Sequence, residues 1–303
     1  MASRTKKPSE KNVIERWSPL EIPSHPLEGK ATDPRLAAAL AARERWHGRS
    51  GRPALKSPTQ AVAFARERRL VHITTASALP NLLDPIVGRA LTDEEREKGQ
   101  ALTTLQSWLP EFRNTPDVAE IRLCFERPTF VQADLWPCLK PIARDREEDA
   151  RTNRSYPLEV REALEILDRR GTIPLSRLGE MLDLGEAEAE RLCGYLESRL
   201  IVVSRNEYDE DEEQDVRMVE SLLHWLERAP HLEREVARER AWTFLFIAAL
   251  RSAVVLWPDE LATIFPWTDE EREHAIQEAM TTGTVIPYFE EGQQVLVASP
   301  VPR

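Results

Sequence analysis

The stretch TIPLSRLGEMLDLGEAEAERLCGYLESRLIVVS, residues 172–204, decides the fold class of this chain. Its third part, GEAEAERLCGYLES, has apolar residues at spacings of three and four, the pattern of a helix that buries one face. Those apolar positions are Ala189, Leu192, Cys193 and Leu196. A short extended piece and another helix precede this helix, and LIVVS follows it as a predicted strand.

An amphipathic helix over residues 156–171 stands before this stretch, so the order is helix, short strand, helix, helix, strand. That is the order of a winged-helix domain, which we place at residues 156–206. The order recurs over residues 231–300, where TVIPYFEEGQQVLVAS predicts the hairpin called the wing. Two capping boxes, which fix helix starts, are also predicted: Thr92 with Glu95 and Thr268 with Glu271.

The rest of the chain divides by composition. Residues 57–147 predict a small helix-hairpin-helix unit, and residues 207–230 predict an acidic loop followed by a linking helix. Residues 1–56 are basic and rich in proline, which predicts a partly flexible extension with one helix. The expected fold class is mostly α with small β-hairpins (α+β), with tandem winged-helix domains behind the helix-hairpin-helix unit.

Composition limits the compartment and the chemistry. The cysteines, Cys124, Cys138 and Cys193, are odd in number and set among apolar residues, as is typical of reduced thiols in a cytoplasmic protein. The chain has no Cys-x-x-Cys pair, Walker loop or Gly-x-Gly-x-x-Gly motif, so we expect no metal and no cofactor. The longest nearly apolar run, residues 241–250, is too short to cross a bilayer, so we expect no membrane association.

The net charge of −11 conceals a division along the chain. Residues 1–70 hold 15 Lys and Arg against 7 Asp and Glu, whereas the remainder holds 26 against 45. Basic side chains interleaved with an aromatic one can bind phosphates and stack on bases. The candidates for nucleic-acid binding are Arg43, Arg45, Trp46, Arg49, Arg52, Lys56, Arg66, Arg68 and Arg69. The sequence leaves open the alternative that these arginines pair with the acidic loop at 207–215.

The third helices of the two winged-helix copies are acidic, whereas elements that read a DNA groove are basic or neutral. The outward face of the first has glutamates on both sides, and Arg191 is the one side chain there that could reach a base. Its centre is small, with Ala187, Gly194 and Ser198, which favours close packing against protein. The second is acidic from Glu270 onward. We expect neither helix to read a groove, and these acidic faces would suit a basic protein partner.

Three stretches carry a resemblance to a known group. They are HITTASALPNLL at 72–83, PDVAEIRLCFERPTFVQADLWPCL at 116–139, and the last copy at 251–299, which begins RSAVVLWPDELATIF. Over residues 57–300 the chain resembles uncharacterised members of the tandem winged-helix superfamily that includes bacterial interstrand-crosslink-repair DNA glycosylases. The resemblance implies a DNA-associated protein, with DNA as its partner.

The glycosylases of that superfamily carry a Gln-x-Gln or Gln-x-Asp motif that positions a hydrolytic water. Gln132-Ala133-Asp134 has this pattern, and an amide beside a carboxylate can activate water. The tripeptide lies later in the chain than the family's motif, however, and Asp134 is placed to cap the following helix. We therefore expect a DNA-associated protein without an intact glycosylase motif; if it is an enzyme, the resemblance implies a DNA glycosylase-like hydrolase. The competing interpretation is a regulatory or interaction scaffold that binds a basic partner and no nucleic acid.

Overall fold

The computed structural model describes residues 14, 17–22, 31, 33–209, 214–230, 236–290 and 292–302. The chain forms two compact units. Unit 1 consists of Met1–Pro19 and Leu139–Leu232, and unit 2 consists of Leu20–Cys138 and Glu233–Arg303. Most of the segment expected to form a helix-hairpin-helix unit therefore lies in the same unit as the second expected winged helix.

Within the described residues one sheet topology occurs three times, and the first of these repeats has one helix more than the other two. Helix α1 (Pro34–Trp46) precedes the first repeat, which consists of α2 (Pro58–Arg68), β1 (Leu70–His72), α3 (Leu83–Val87), α4 (Asp93–Lys98), α5 (Gln100–Arg113), β2 (Val118–Cys124) and β3 (Arg127–Gln132). A 3-10 turn (Ala133–Leu135) and α6 (Trp136–Thr152) follow. The second repeat consists of α7 (Leu158–Arg170), β4 (Ile173–Pro174), α8 (Leu175–Met181), α9 (Glu186–Glu197), β5 (Val202–Asp209) and β6 (Gln214–Ser221), and α10 (Leu222–Arg228) follows it. The third repeat consists of α11 (Arg238–Ala253), β7 (Val255–Leu256), α12 (Pro258–Thr263), α13 (Asp269–Thr281), β8 (Val285–Glu290) and β9 (Gln293–Ala298).

Each repeat has its own three-stranded antiparallel sheet with the same strand order. The orders are β1-β3-β2, β4-β6-β5 and β7-β9-β8, so the short strand after the first helix always pairs with the last strand. This is the order of helices and hairpin in a winged helix. Helices with small β-hairpins confirm the predicted fold class. The sequence predicts winged-helix copies at residues 156–206 and 231–300, and the structure has three repeats with this strand order.

The turn between the first helix and the first strand is also repeated. Arg69, Gly171 and Val254 occupy it, with φ of 70°, 72° and 69° respectively. Glycine adopts a positive φ of this size freely. The same backbone conformation is unfavourable for an arginine, and more so for a β-branched valine. Since Val254 is fully buried, packing of the surrounding core imposes the backbone path.

The acidic stretch of the second repeat is largely a hairpin, where we expected a loop at residues 207–215. Strands β5 and β6 pair over eight residues each, and residues 210–213 lie outside the described part of the chain. The outer part of β5, residues 205–208, is exposed. Because solvent screens the charges of such a projecting hairpin, a run of acidic residues is compatible with strand structure here.

Helix α1 is part of the core of unit 2. Its apolar face packs against the strands of the third repeat; the buried contacts are Leu36, Ala39, Trp46, Val254, Val255, Val295 and Val297. Asp33 caps the helix by accepting from the Arg35 backbone N–H at 2.7 Å, and Pro34 occupies the first turn. Within the extension expected at 1–56, the segment 33–56 is thus an ordered structural element, and residues 1–13, 15–16, 23–30 and 32 lie outside the described residues.

Candidate nucleic-acid interface

Arg68 lies inside unit 2, with 1% of its surface exposed. Its Nε donates to the carbonyl oxygen of Trp46 at 2.6 Å, and its Nη1 donates to that of Phe64 at 3.1 Å. The guanidinium carbon lies 3.6 Å from the centre of the Phe64 ring and 4.4 Å from that of Trp46. Burial lowers the pKa of Arg68 to about 10. The side chain joins α1 to α2 through hydrogen bonds and cation–π contacts.

Arg43 of α1 is also buried, with 2% of its surface exposed. Its Nη2 donates to the carbonyl oxygen of Ala78 at 3.1 Å and lies 3.9 Å from the carboxylate of Glu260 in α12. Burial lowers the pKa of Arg43, and the negative charge of Glu260 opposes that shift. The contacts connect the first and third repeats.

Asp84 is the centre of a buried polar cluster and is itself fully buried. Its carboxylate accepts from Arg49 Nε at 2.7 Å, Arg96 Nη2 at 2.6 Å and Asn81 Nδ2 at 2.9 Å. The backbone N–H of Leu91 adds a fourth bond at 3.1 Å. Two cations and two neutral donors thus compensate one buried carboxylate, which is the condition for burying such a charge.

These findings correct part of the predicted site. Arg43, Trp46, Arg49 and Arg68 are all buried, and the three arginines are bonded within unit 2. A phosphate outside the protein has no access to them. They were predicted as surface contacts because basic residues usually lie on the solvent face of a helix, but here that face is covered by segments distant in sequence.

Three further candidate arginines are accessible to solvent, and each forms an ion pair with a carboxylate. The pairs are Arg52 with Glu67 at 3.4 Å, Arg66 with Asp117 at 2.7 Å, and Arg69 with Asp134 at 2.5 Å. Exposed ion pairs contribute about 0–1 kcal/mol each, so a phosphate can replace the carboxylate. Intramolecular pairing, the alternative to nucleic-acid binding, is therefore present, with acidic partners inside unit 2.

Arg45 and Lys56 have the exposure that a phosphate contact needs. Both side chains are exposed, and neither has an acidic partner among the residues that the structure describes. Arg35 shares these properties, although it was not a candidate in the sequence because it is a single charge ahead of an Ala/Leu run. The signal that could have revealed it is its helical spacing from Ala38, Ala42 and Arg45.

Three glutamates of α9 have structural partners. Arg217 of β6 pairs with Glu190 and, at 2.9 Å, with Glu197. Glu188 accepts from the backbone N–H of Gly185 at 3.1 Å and so caps the helix start. The acidic character of this helix thus stabilises the second repeat by fixing α9 to the wing strand.

The small centre of the outward face of α9 is covered by the protein itself. Gly194 and Ser198 are buried, and a Cβ on Gly194 would lie 2.5 Å from the ring of Trp17. The expected packing against protein is therefore confirmed for Gly194 and Ser198. It is wrong for Ala187, which is exposed. Arg191 is half-buried, and its Nε has no hydrogen-bond partner within the described chain.

Gly194→Ala is expected to destabilise the protein by about 1–3 kcal/mol, because the added methyl overlaps the indole of Trp17. In a Trp17→Ala background the same change is expected to be neutral or to stabilise by up to about 1 kcal/mol, through helix propensity. Urea unfolding of the four proteins measures both steps. Equal effects of Gly194→Ala in the two backgrounds would contradict the contact.

The third helix of the third repeat, α13, is likewise fixed to protein. Glu278 accepts from Arg240 Nε at 2.9 Å and from Thr243 Oγ1 at 2.6 Å, both on α11. The hydrogen bond from Thr243, followed by that from Arg240, lowers the pKa of Glu278. This carboxylate therefore serves the packing of α13 on α11.

The repeated architecture has a counterpart among solved structures. The DNA glycosylase AlkZ of Streptomyces sahachiroi matches with a TM-score of 0.50, over 86% of this chain and 69% of the AlkZ chain. This chain has an AlkZ-like fold. The two sequences are 10% identical, so the likeness shows the fold alone. No family model matches the chain, and no curated protein matches it in sequence. None of the described helices combines the length and apolar character needed to cross a membrane.

Within this AlkZ-like fold, Gln132-Ala133-Asp134 lies where β3 ends and the 3-10 turn begins. Gln132 is half-buried, and its backbone N–H donates to the carbonyl oxygen of Arg69 at 3.0 Å. The carboxylate of Asp134, 49% exposed, pairs with the guanidinium of Arg69. Asp134 lies inside the turn, two residues before α6, so it ties that turn to the end of α2.

Proposed function

We propose that the protein binds DNA through the exposed cations of unit 2, and that α9 and α13, the third helices of the second and third repeats, serve as scaffold. One observation carries this proposal: Arg45 and Lys56 are exposed without an acidic partner among the described residues. Unpaired cations release counterions from DNA when they meet phosphates, which is the main source of non-specific affinity. The AlkZ-like fold supports DNA as the partner, since AlkZ is a DNA glycosylase.

The proposal includes no intact glycosylase motif. Asp134 would be the carboxylate that activates a water, but it lies inside the 3-10 turn, and its ion pair with Arg69 ties that turn to the end of α2. We assign it this structural role, at a position later in the chain than that of the family's motif. If glycosylase activity is found in the protein and survives replacement of Gln132 and Asp134 by Ala, the tripeptide has a structural role.

The double variant Arg45→Gln, Lys56→Gln is expected to bind a short duplex about tenfold more weakly than wild type near 0.1 M salt, because each cation contacts one phosphate. Fluorescence anisotropy measures the affinity. The control is Arg169→Gln, Arg177→Gln, which removes the same charge from exposed positions of unit 1. We expect the control to bind within twofold of wild type; equal losses in both variants would contradict a local contact.

A second function is favoured by the wing of the second repeat. Tyr208 is 63% exposed there, and the exposed acid Asp215 stands opposite it in the strand register, whereas Glu207 pairs with Arg205. An exposed aromatic ring next to an acidic residue suits a basic protein partner. No retardation of duplex or single-stranded DNA at micromolar protein would favour this interaction function and reject the DNA proposal.

A further inference from the structure

A groove of about 500 Å³ opens in unit 2 between α1 and the C-terminal end of the third repeat. Its lining includes Arg35, Ala38, Ala42 and Arg45 of α1, Tyr288 of β8, and Val301. The volume falls within the range of small-ligand sites, roughly 300–1,000 Å³. The groove is large enough for one nucleotide unit.

The sequence of α1 builds one wall of the groove. Lining residues recur at spacings of three and four, so they form one face of the helix. The middle of that face is alanine, which leaves space that a longer side chain would fill. Arg35 and Arg45 stand at its two ends, about 15 Å apart along the helix axis at 1.5 Å per residue. The next face of α1 packs in the core, so the wall is fixed in place.

The charges of the groove select an anion. Arg35 and Arg45 are exposed and have no carboxylate partner in the described part of the chain. Arg49, Arg52 and Arg66 in the same unit each pair with a carboxylate. In a chain of net charge −11, guanidiniums that have no carboxylate partner in the described part, one at each end of the groove, are suited to two separated phosphates.

Tyr288 supplies a surface for a base. The residue lies in β8, is half-buried, and packs partly against the core that includes Val255 and Val297. Aromatic rings held by a core in this way bind unpaired bases by stacking, with little dependence on sequence. Bases of a duplex are already stacked on their neighbours, so this surface favours a single strand.

We propose that this groove binds a segment of single-stranded nucleic acid, with phosphates at Arg35 and Arg45 and one base on Tyr288. The inference rests on the proposed DNA function and adds to it a site for single strands, alongside the duplex contacts of Arg45 and Lys56. Two substitutions test the groove itself. Ala38→Phe fills it from an exposed helical position, and Tyr288→Leu removes the stacking ring while keeping an apolar side chain.

The experiment measures fluorescence anisotropy of a labelled oligothymidylate and of a duplex with the full-length protein. Ala38→Phe and Tyr288→Leu are each expected to weaken single-strand binding about tenfold, and duplex binding less than twofold. Phe289→Leu is the control, because Phe289 is the exposed neighbour of Tyr288 on β8 and does not line the groove. Thermal unfolding verifies that each variant is folded, and Tyr288→Leu stands as the test if Ala38→Phe is not.

Three results would overturn the inference. One is single-strand affinity unchanged by a folded groove variant, and another is an equal loss in Phe289→Leu. The third is a wild-type protein that binds duplex but no single strand, which leaves the proposed DNA function intact. If wild type binds neither, both proposals fail.

Discussion

Asp84→Ala is expected to destabilise the protein by about 3–5 kcal/mol, the usual cost of removing one partner from a buried ionic cluster. The change leaves Arg49 and Arg96 without their shared carboxylate, and their side chains are 4% and 10% exposed. The backbone N–H of Leu91 loses its acceptor as well. Uncompensated buried charge, rather than lost attraction, is the source of the effect.

Equilibrium urea unfolding of wild type and variant measures this loss. Asp117→Ala is the matched control, since it removes the carboxylate that Arg66 holds at the surface. We expect the control to lose less than about 1 kcal/mol. Equal stability of the Asp84→Ala and Asp117→Ala proteins would contradict the account, in which Asp84 compensates the buried charges of Arg49 and Arg96.

Acidification is expected to destabilise the protein through His72. The ring is fully buried, and its Nδ1 lies 3.3 Å from Thr129 Oγ1. Burial lowers the pKa of His72 from 6.5 to about 4, against a smaller opposing effect of the hydrogen bond to the Pro128 carbonyl. Between those values the unfolded chain binds a proton that the folded chain does not, so stability is complete above pH 6.5 and falls towards pH 4. The loss is about 3 kcal/mol.

The free energy of unfolding is measured against pH in wild type and in histidine variants. The difference between their slopes separates the effect of His72 from that of the carboxylates that titrate in the same pH range. His72→Gln is expected to reduce the slope between pH 4 and 6.5 by up to about 1.4 kcal/mol per pH unit. His274→Gln, at a position 60% exposed, is the control for replacing a histidine, and is expected to change the slope less than His72→Gln does. Burial also lowers the pKa of His47 well below its ordinary value. His47 therefore adds a pH slope in the same direction, and it is present in both variants. An identical slope in His72→Gln and wild type would contradict this account.

Helix starts could be predicted from the sequence because their causes are local. Thr92 donates its backbone N–H to Glu95 at 3.0 Å, and Thr268 does the same to Glu271 at 2.6 Å, which confirms both capping boxes. In each case the partners are three residues apart. Residue types alone therefore specify the contact.

The first repeat was missed because its helices are divided differently. Three helices, α3, α4 and α5, stand between β1 and the hairpin, where the other two repeats have two helices. Its identity as a repeat depends on β1 pairing with β3, across the separation from Val71 to Phe130. Long-range pairing of this kind leaves little trace in local composition.

The candidate site was predicted in part, for the same reason. The sequence indicates a basic region over residues 43–69, and Arg45 and Lys56 are exposed there. Which basic residues are buried depends on tertiary partners, such as Glu260 for Arg43, that helical periodicity does not reveal. Arg35 becomes a candidate once the C-terminal residues that complete its groove are in place.

The salt dependence of duplex binding tests most directly whether the exposed cations of unit 2 contact the DNA. The slope of log affinity against log salt is predicted to fall by about 2 in the Arg45→Gln, Lys56→Gln variant, one for each lost phosphate contact. Arg191→Gln, on the outward face of α9, is predicted to leave the slope unchanged. A slope that falls in Arg191→Gln and stays constant in the unit 2 variant would contradict the account.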